Sequence, residues 1–346
     1  MLVASSIDYG PLTGPVDRAA EAAFRRRVQG DPTFSGNGPF GGFAIIGVGA
    51  LFLLAGAFFA WPGSVIGYGV GGVAIALGVL ALVLGIRTWR RRYRLDAFAT
   101  RNDLRYYPAT GGPAYPGVVF GQGEARFAKD RFVRQTGRTI DYGNYEFRTG
   151  SGRSKRTHQW WYLAYRLDRR LPHMIIDSKA NNVLFGSTNL PVAFARDQVL
   201  HLEGDWDEHF VLYAPKEYER DALYVFTPDL MALCIDEAST WDLEIVEDWL
   251  FAYSNQPIDP MDARAHERIW RFVDTVGAKA LSRTDDYADE RASGRIAFRE
   301  NVVAAEGVRL RTVPPYVRGI VTVIGAVIVL SILFWPQISA WLGIPY

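Results

Sequence analysis

Two uncharged apolar runs stand back to back near the start of this chain, Phe40 to Trp61 and Ser64 to Ile86, separated only by Pro62-Gly63. Each is long enough to cross a bilayer core as a helix, which takes about 20 apolar residues. So short a turn leaves the two helices no arrangement except an antiparallel hairpin. Arg87 to Arg94 (RTWRRRYR) follows at once as a basic collar.

Small residues recur along both runs: Gly63, Gly67, Gly71, Ala74 and Gly78, with Gly56 and Ala60 on the first. Such a stripe lets helix backbones approach closely where lipid removes the hydrophobic drive for association. It predicts hairpin packing and leaves room for a homo-oligomer. A third apolar run, Gly319 to Trp335, is preceded by Arg318 and followed by Trp341 and Tyr346, residues suited to membrane interfaces.

Arginines mark one side of all three runs: Arg25 to Arg27 before the first, the collar after the second, and Arg309, Arg311 and Arg318 before the third. The positive-inside rule then predicts a multi-pass plasma (inner) membrane protein. Its N-terminus and main domain lie in the cytoplasm and its C-terminus outside. The bilayer is the first expected partner. Anionic headgroups are expected at Arg87, Arg90, Arg91, Arg92, Arg94 and Arg318, each basic residue near such a surface gaining roughly 1 kcal/mol.

With 346 residues, a net charge of +1 and mean hydropathy of -0.01, the averages hide this segregation. The balanced charge gives no case for nucleic acid. Cys234 is the single cysteine, so no intrachain disulfide is expected. The start, broken by Gly10, Pro11, Gly14 and Pro15, does not read as a signal peptide. Residues 1–39 read as a cytosolic tail with a short solvated helix over Asp17 to Gln29. Residues 40–86 form the hairpin and 314–346 the last crossing.

Between them, 87–214 reads as collar and β-rich, and 215–313 as α/β with a linker. Thr139 to Arg148 and Gln159 to Leu167 predict a hairpin around a basic tip, with His173 to Asp177 and Phe210 to Tyr213 as further strands. Tyr218, Ala222, Val225 and Phe226 have helical spacing. Thr227-Pro228-Asp229 restarts a helix with Leu230, Leu233, Cys234 and Ala238 as its buried stripe. Trp241 to Tyr253 reads as a second hairpin, Asp262 to Ala280 as an amphipathic helix, and Thr284 to Arg299 as a solvated linker. The expected class is an α+β cytosolic domain with an antiparallel sheet plus three transmembrane helices.

The run Phe210 to Tyr213, then Asp221 to Leu233 (DALYVFTPDLMAL), then Trp241 to Tyr253 resembles a bacterial membrane-protein family catalogued only as a domain of unknown function. The similarity covers Phe185 to Val276 and the preceding hairpin. It implies membrane helices followed by a cytosolic α+β domain and implies no catalytic residues.

Candidate chemistry concentrates in His201, Glu203, Asp205, Asp207 and His209. On one regular strand all five would face the same way, and imidazoles with carboxylates are metal-ligand types. Gly204 invites a turn that would scatter the row, giving an exposed acidic edge instead. HExxH, GxSxG, Walker-type and paired CxxC signatures are missing, and Gly117, Gly121 and Gly123 form no dinucleotide fingerprint. Cys234 reads as a buried thiol, and His158, His173 and His266 as structural or solvated. No cofactor or metal is expected. The function expected is a membrane-tethered scaffold, sensor or docking protein with an unknown protein partner. The alternative is a membrane-bound hydrolase or metal-dependent enzyme using the His201 to His209 stretch.

Overall fold

A computed structural model describes residues 7–34, 39–58, 63–182, 188–292 and 301–313. It is an α+β protein with a mostly antiparallel sheet. The chain divides into two interleaved compact units. One comprises Met1–Gly112, Ala125–Glu146 and Pro257–Trp270, the other Pro113–Glu124, Phe147–Gln256 and Arg271–Tyr346.

The first unit contains α1 (Gly10–Thr13), α2 (Arg18–Arg27), α3 (Pro39–Phe58) and α4 (Gly63–Arg101). Strands β1 (Leu104–Gly111) and β2 (Glu124–Arg134) pair antiparallel, and β2 is followed in the sheet by β3 (Ile140–Thr149). Helices α3 and α4 pack as the expected hairpin, and glycines set the contact. A Cβ at Gly67 would lie 2.6 Å from the Gly56 Cα, one at Gly71 2.8 Å from the Gly49 carbonyl oxygen, and one at Gly78 2.9 Å from that of Gly42.

Among the described helices, α4 is long and apolar enough to cross a membrane, whereas the apolar part of α3, Gly42–Ala57, is shorter. The third apolar run and Arg318 lie outside the described residues. At about 1.5 Å per residue, the 39 residues of α4 reach nearly 60 Å, about twice a hydrocarbon core. The collar is therefore no boundary. The helix continues through it and buries Leu95, Phe98 and Ala99 in the core of the unit.

The N-terminal segment corrects the expectation of a solvated tail. Asp17 caps α2 by accepting from the Ala19 N–H, and Phe24 is buried against Phe34, Trp89 and Tyr93. The aromatic rings of this segment supply the apolar area that holds it on α4. Deeper in the unit His266, on α8 (Ala263–Phe272), lies between Phe98 and Phe132. Its Nε2 donates to the Pro260 carbonyl (2.8 Å) and its Nδ1 accepts from the Tyr142 hydroxyl (3.0 Å). Burial drives its pKa down to about 4.

The second unit is built on β4 (Arg156–Ser178), a strand of 23 residues. It pairs antiparallel with β8 (Asp242–Ser254) and, near its end, with β7 (Phe210–Tyr213). Ile175 and Ile176 pair with both, so β7 and β8 flank opposite edges. A short β6 (Val199–Leu200) follows β7, and β5 (Ala193–Phe194) pairs with β9 (Thr312–Val313) as a separate ladder. The helices are α5 (Trp206–His209), α6 (Glu219–Val225), α7 (Pro228–Ala238) and α9 (Ala278–Thr284).

Three expectations change here. Leu167 and His173 belong to one strand, β4, whose register shifts between Arg166 and Met174. Pro172 within that shift has no N–H to give the ladder, which is why the sequence reads as two strands. Trp241 to Tyr253 is likewise no hairpin. Glu247 takes a positive φ of 54° in a bulge opposite Leu171, so the acidic pair bends β8 without reversing it. The supposed solvated linker is anchored at its start: Thr284, Tyr287 and Asp289 are buried, and Asp289 accepts from the Tyr218 hydroxyl at 2.7 Å.

Two outcomes follow. Gly67→Leu places a side chain against the Gly56 backbone, and overpacking of this kind destabilises by ~1–3 kcal/mol. Detergent-solubilised protein should melt lower, whereas Gly69→Leu, which meets open space, should not. For His266 the folded pKa lies below the unfolded one, so its contribution is present above pH 6.5 and lost as pH falls toward 4. The wild-type advantage over His266→Gln should shrink by about 1 kcal/mol per pH unit in that window, read by urea unfolding.

Candidate functional site

Five collar arginines were expected to face the membrane surface, and the structure turns three of them into the protein. Arg91 gives two hydrogen bonds to Asp130 (3.0 and 2.8 Å), whose carboxylate also accepts from the Tyr106 hydroxyl (2.7 Å). Arg92 donates to the Phe34 carbonyl at 2.8 Å, and Arg94 to that of Leu12 at 2.6 Å. Arg92 also lies over the Trp89 ring, 5.5 Å from its centroid. Height along the helix makes the division: Arg87 lies on the same face as Arg91 and Arg94 but one turn nearer the apolar run. Residues 91, 94, 95 and 98 share the side that faces the N-terminal segment and β2. Arg87 is exposed and has no ion-pair partner among the described residues, and Arg90 has only Glu21 at 3.7 Å. Sequence alone shows basic residues beside an apolar run and cannot say which of them are already occupied.

The row from His201 to His209 does not form a strand. β6 ends at Leu200, Gly204 takes a positive φ of 75°, and α5 begins at Trp206. Glycine is suited to that left-handed turn because it has no Cβ to clash. The turn brings His201 Nδ1 within 2.6 Å of Asp207 and leaves His209 4.0 Å from Asp205, both at the surface. Glu203 stands apart. Among the described residues no group of three or more His, Cys, Asp or Glu is placed to hold a metal ion. Trp206 anchors the turn, fully buried against Phe210 (4.8 Å) and Phe226 (6.0 Å).

Glu203 and Asp205 instead form one bank of a groove of about 550 Å³, with Leu202 and Gly204 beside them. The other walls are Leu223 and Phe226 from the end of α6, and Pro228, Met231, Ala232, Ile235 and Asp236 from α7. α6 closes with the Phe226 N–H donating to the Ala222 carbonyl, and Pro228 opens α7 directly, so the two helices meet at an elbow. Thr227 occupies the cap position, but its side chain makes no capping hydrogen bond. Along α7, Leu230, Cys234 and Ala238 are buried. Met231 and Ile235, also four residues apart, form a second apolar stripe along the groove. Leu223 is 53% exposed. Burial pushes the Cys234 thiol up to about 12, so it is no nucleophile.

One buried constellation has the residue types of a catalytic triad. Glu244 Oε1 accepts from His173 Nε2 (2.8 Å), and Oε2 accepts from the Tyr253 hydroxyl (2.8 Å) and the Val118 N–H (2.9 Å). His173 Nδ1 accepts from the Leu310 N–H at 3.0 Å. These partners occupy both ring nitrogens and both carboxylate oxygens, and His173, Glu244 and Tyr253 are at most 3% exposed. A Cβ at Gly117 would sit 2.0 Å from the Tyr253 hydroxyl, which accounts for that glycine. The cluster is a closed structural network. Asp242 is a second buried carboxyl. Burial, with Asp177 nearby, raises its pKa to about 8, and it accepts from the Ser178 N–H at 2.9 Å.

No protein-family model matches the chain, and no curated protein matches it. A solved structure, the mycobacterial trehalose monomycolate transport factor A, TtfA, is similar at 11% identity with a TM-score of 0.37. The match covers 55% of this chain and 92% of that one. A likeness of this size carries no functional inference. The family resemblance over Phe185 to Val276 rests on its residue pattern alone.

The arginine geometry separates two roles by experiment. Arg91→Ala leaves Asp130 without its ionic partner, a loss on the order of 1–3 kcal/mol. Arg91→Ala and Arg94→Ala should lower the melting temperature in detergent, and Arg87→Ala should leave it unchanged.

Proposed function

We propose that this chain is a membrane-tethered scaffold whose cytosolic α+β domain docks a protein partner. In this reading the membrane part comprises three helices, the α3–α4 hairpin and the run Gly319 to Trp335. The N-terminus lies in the cytoplasm and the C-terminus outside. The observation that carries the proposal is the continuity of α4: one helix supplies both the apolar hairpin arm and, through Leu95, Phe98 and Ala99, part of a domain core. A helix without a break transmits orientation, so a surface on its domain would be held at a defined attitude to the bilayer. A hinge would serve that purpose poorly.

Large apolar side chains support the membrane assignment. Phe43, Leu51, Leu54, Ile66 and Val73 are each at least 60% exposed on the hairpin, where only lipid or another apolar surface would cover them favourably. Headgroup contact then falls to Arg87 and Arg90, with Arg26 on α2, because Arg91, Arg92 and Arg94 are engaged within the protein. An enzymatic role at His201 to His209 has no comparable support, since those side chains do not converge.

Epitope tags at the two termini test the topology. In intact spheroplasts an external protease should remove the tag after Tyr346 and spare the one before Met1; digestion at Met1 would overturn the orientation. Crosslinking in native membranes tests the docking role. A reproducible protein partner is expected, and recovery of this chain alone would sink that role.

A further inference from the structure

We infer that the groove between the Leu202–Asp205 turn and the α6–α7 elbow binds a basic amphipathic helix of a partner protein. The inference rests on the docking role proposed above and adds the chemistry of the partner. Its first ground is the surplus apolar face of α7. One stripe, Leu230, Cys234 and Ala238, satisfies the domain core, while Met231 and Ile235 remain partly exposed along the groove with Leu223 opposite. An elongated apolar floor fits side chains that recur every three or four residues on a helix, the spacing of helix-in-groove recognition. Methionine within the floor adds adaptability to the shape of what it meets.

The second ground is charge. Three carboxylates, Glu203 and Asp205 on one bank and Asp236 on the other, line the groove, and none of its lining residues is basic. Glu203 and Asp236 have no ion-pair partner among the described residues, and Asp205 has only His209 at 4.0 Å. Acidic banks around an apolar floor repel an anionic lipid or a nucleic acid and favour lysines or arginines flanking an apolar stripe. The occupant that satisfies both grounds is a helix with leucine-like residues on one face and cations beside them.

Full-length protein in phosphatidylcholine nanodiscs, with empty discs as the lipid control, can be titrated with fluorescein-labelled leucine/lysine amphipathic peptides. A length of about fourteen residues covers the 11 residues of α7 with roughly one turn to spare. The same peptide with every lysine replaced by glutamate should bind about tenfold more weakly or worse. The triple variant Glu203→Lys, Asp205→Lys, Asp236→Lys should reverse that preference, and its binding of the glutamate peptide shows that it is folded. Leu223→Asp with Ile235→Asp should weaken both peptides while leaving the melting temperature unchanged.

Equal binding of the two peptides, or a preference that survives charge reversal, would overturn the inference and leave an unselective apolar surface. No binding beyond that of empty discs would overturn it as well. In either event, a native-membrane crosslink that Leu223→Asp abolishes would keep the docking role and reject only the basic helix.

Discussion

A single helix, apolar along its first part and packed into a fold along its last, sets the terms for the rest of this protein. Above the collar α4 needs no polar partner beyond its own backbone, because every peptide group is satisfied within the helix. Below it the same helix must be covered on nearly all sides, and its neighbours are chosen accordingly. Phe24 and Phe34 pack from the N-terminal segment, while Phe132 and His266 close the deeper part around Phe98. The arginines mark the change of surroundings. A guanidinium can hydrogen-bond carbonyl oxygens and carboxylates in several directions at once. Arg91, Arg92 and Arg94 use that capacity to tie β2 and the N-terminal segment to the helix.

Buried polar groups in the two units are stabilised by different means. His266 lies among aromatic rings and remains neutral, with one nitrogen donating to Pro260 and the other accepting from Tyr142. Glu244 is surrounded by three donors, His173, Tyr253 and the Val118 N–H, and such a set suits a carboxylate removed from water. Asp242 is buried beside another acid, Asp177, and its proton is held to a higher pH. Removing one partner from such a network leaves the others buried and unsatisfied, so these sites tie distant strands together. They bind Val118, His173, Glu244 and Leu310 across 192 residues of sequence.

The sequence shows the hairpin plainly because uncharged runs of that length admit few folds. Its small-residue stripe names Gly56, Gly67, Gly71 and Gly78 but misses Gly42 and Gly49, which Gly78 and Gly71 meet. The central strands are harder to read. Trp161 to Tyr165 are all buried, so both faces of β4 are covered and alternation conveys little. Pro172 and the Glu247-Asp248 pair look like ends of strands because a bulge and a turn draw on the same residues. The collar was legible as charge but not as contact, since Asp130, Phe34 and Leu12 are brought to it only by the fold. The groove was half legible: Gly204 signals a turn, but nothing local says that Glu203 and Asp205 will face Met231 and Ile235.

That juxtaposition also explains why the acidic run need not be catalytic to have a use. Catalysis or metal binding would require the carboxylates to converge on a point with their lone pairs directed inward. Here the turn at Gly204 spreads them along a bank, with an apolar floor between them and Asp236. Dispersed charges around an apolar surface select an extended partner and contribute little to stabilising a small transition state. Desolvation reinforces the distinction. Exposed carboxylates on a rim retain water until a partner arrives, and then act mainly on encounter rate and on the sign of charge that is accepted. In the proposed docking the apolar floor would supply the affinity. A site divided in this way is suited to recognition of a surface and poorly suited to bond-making chemistry.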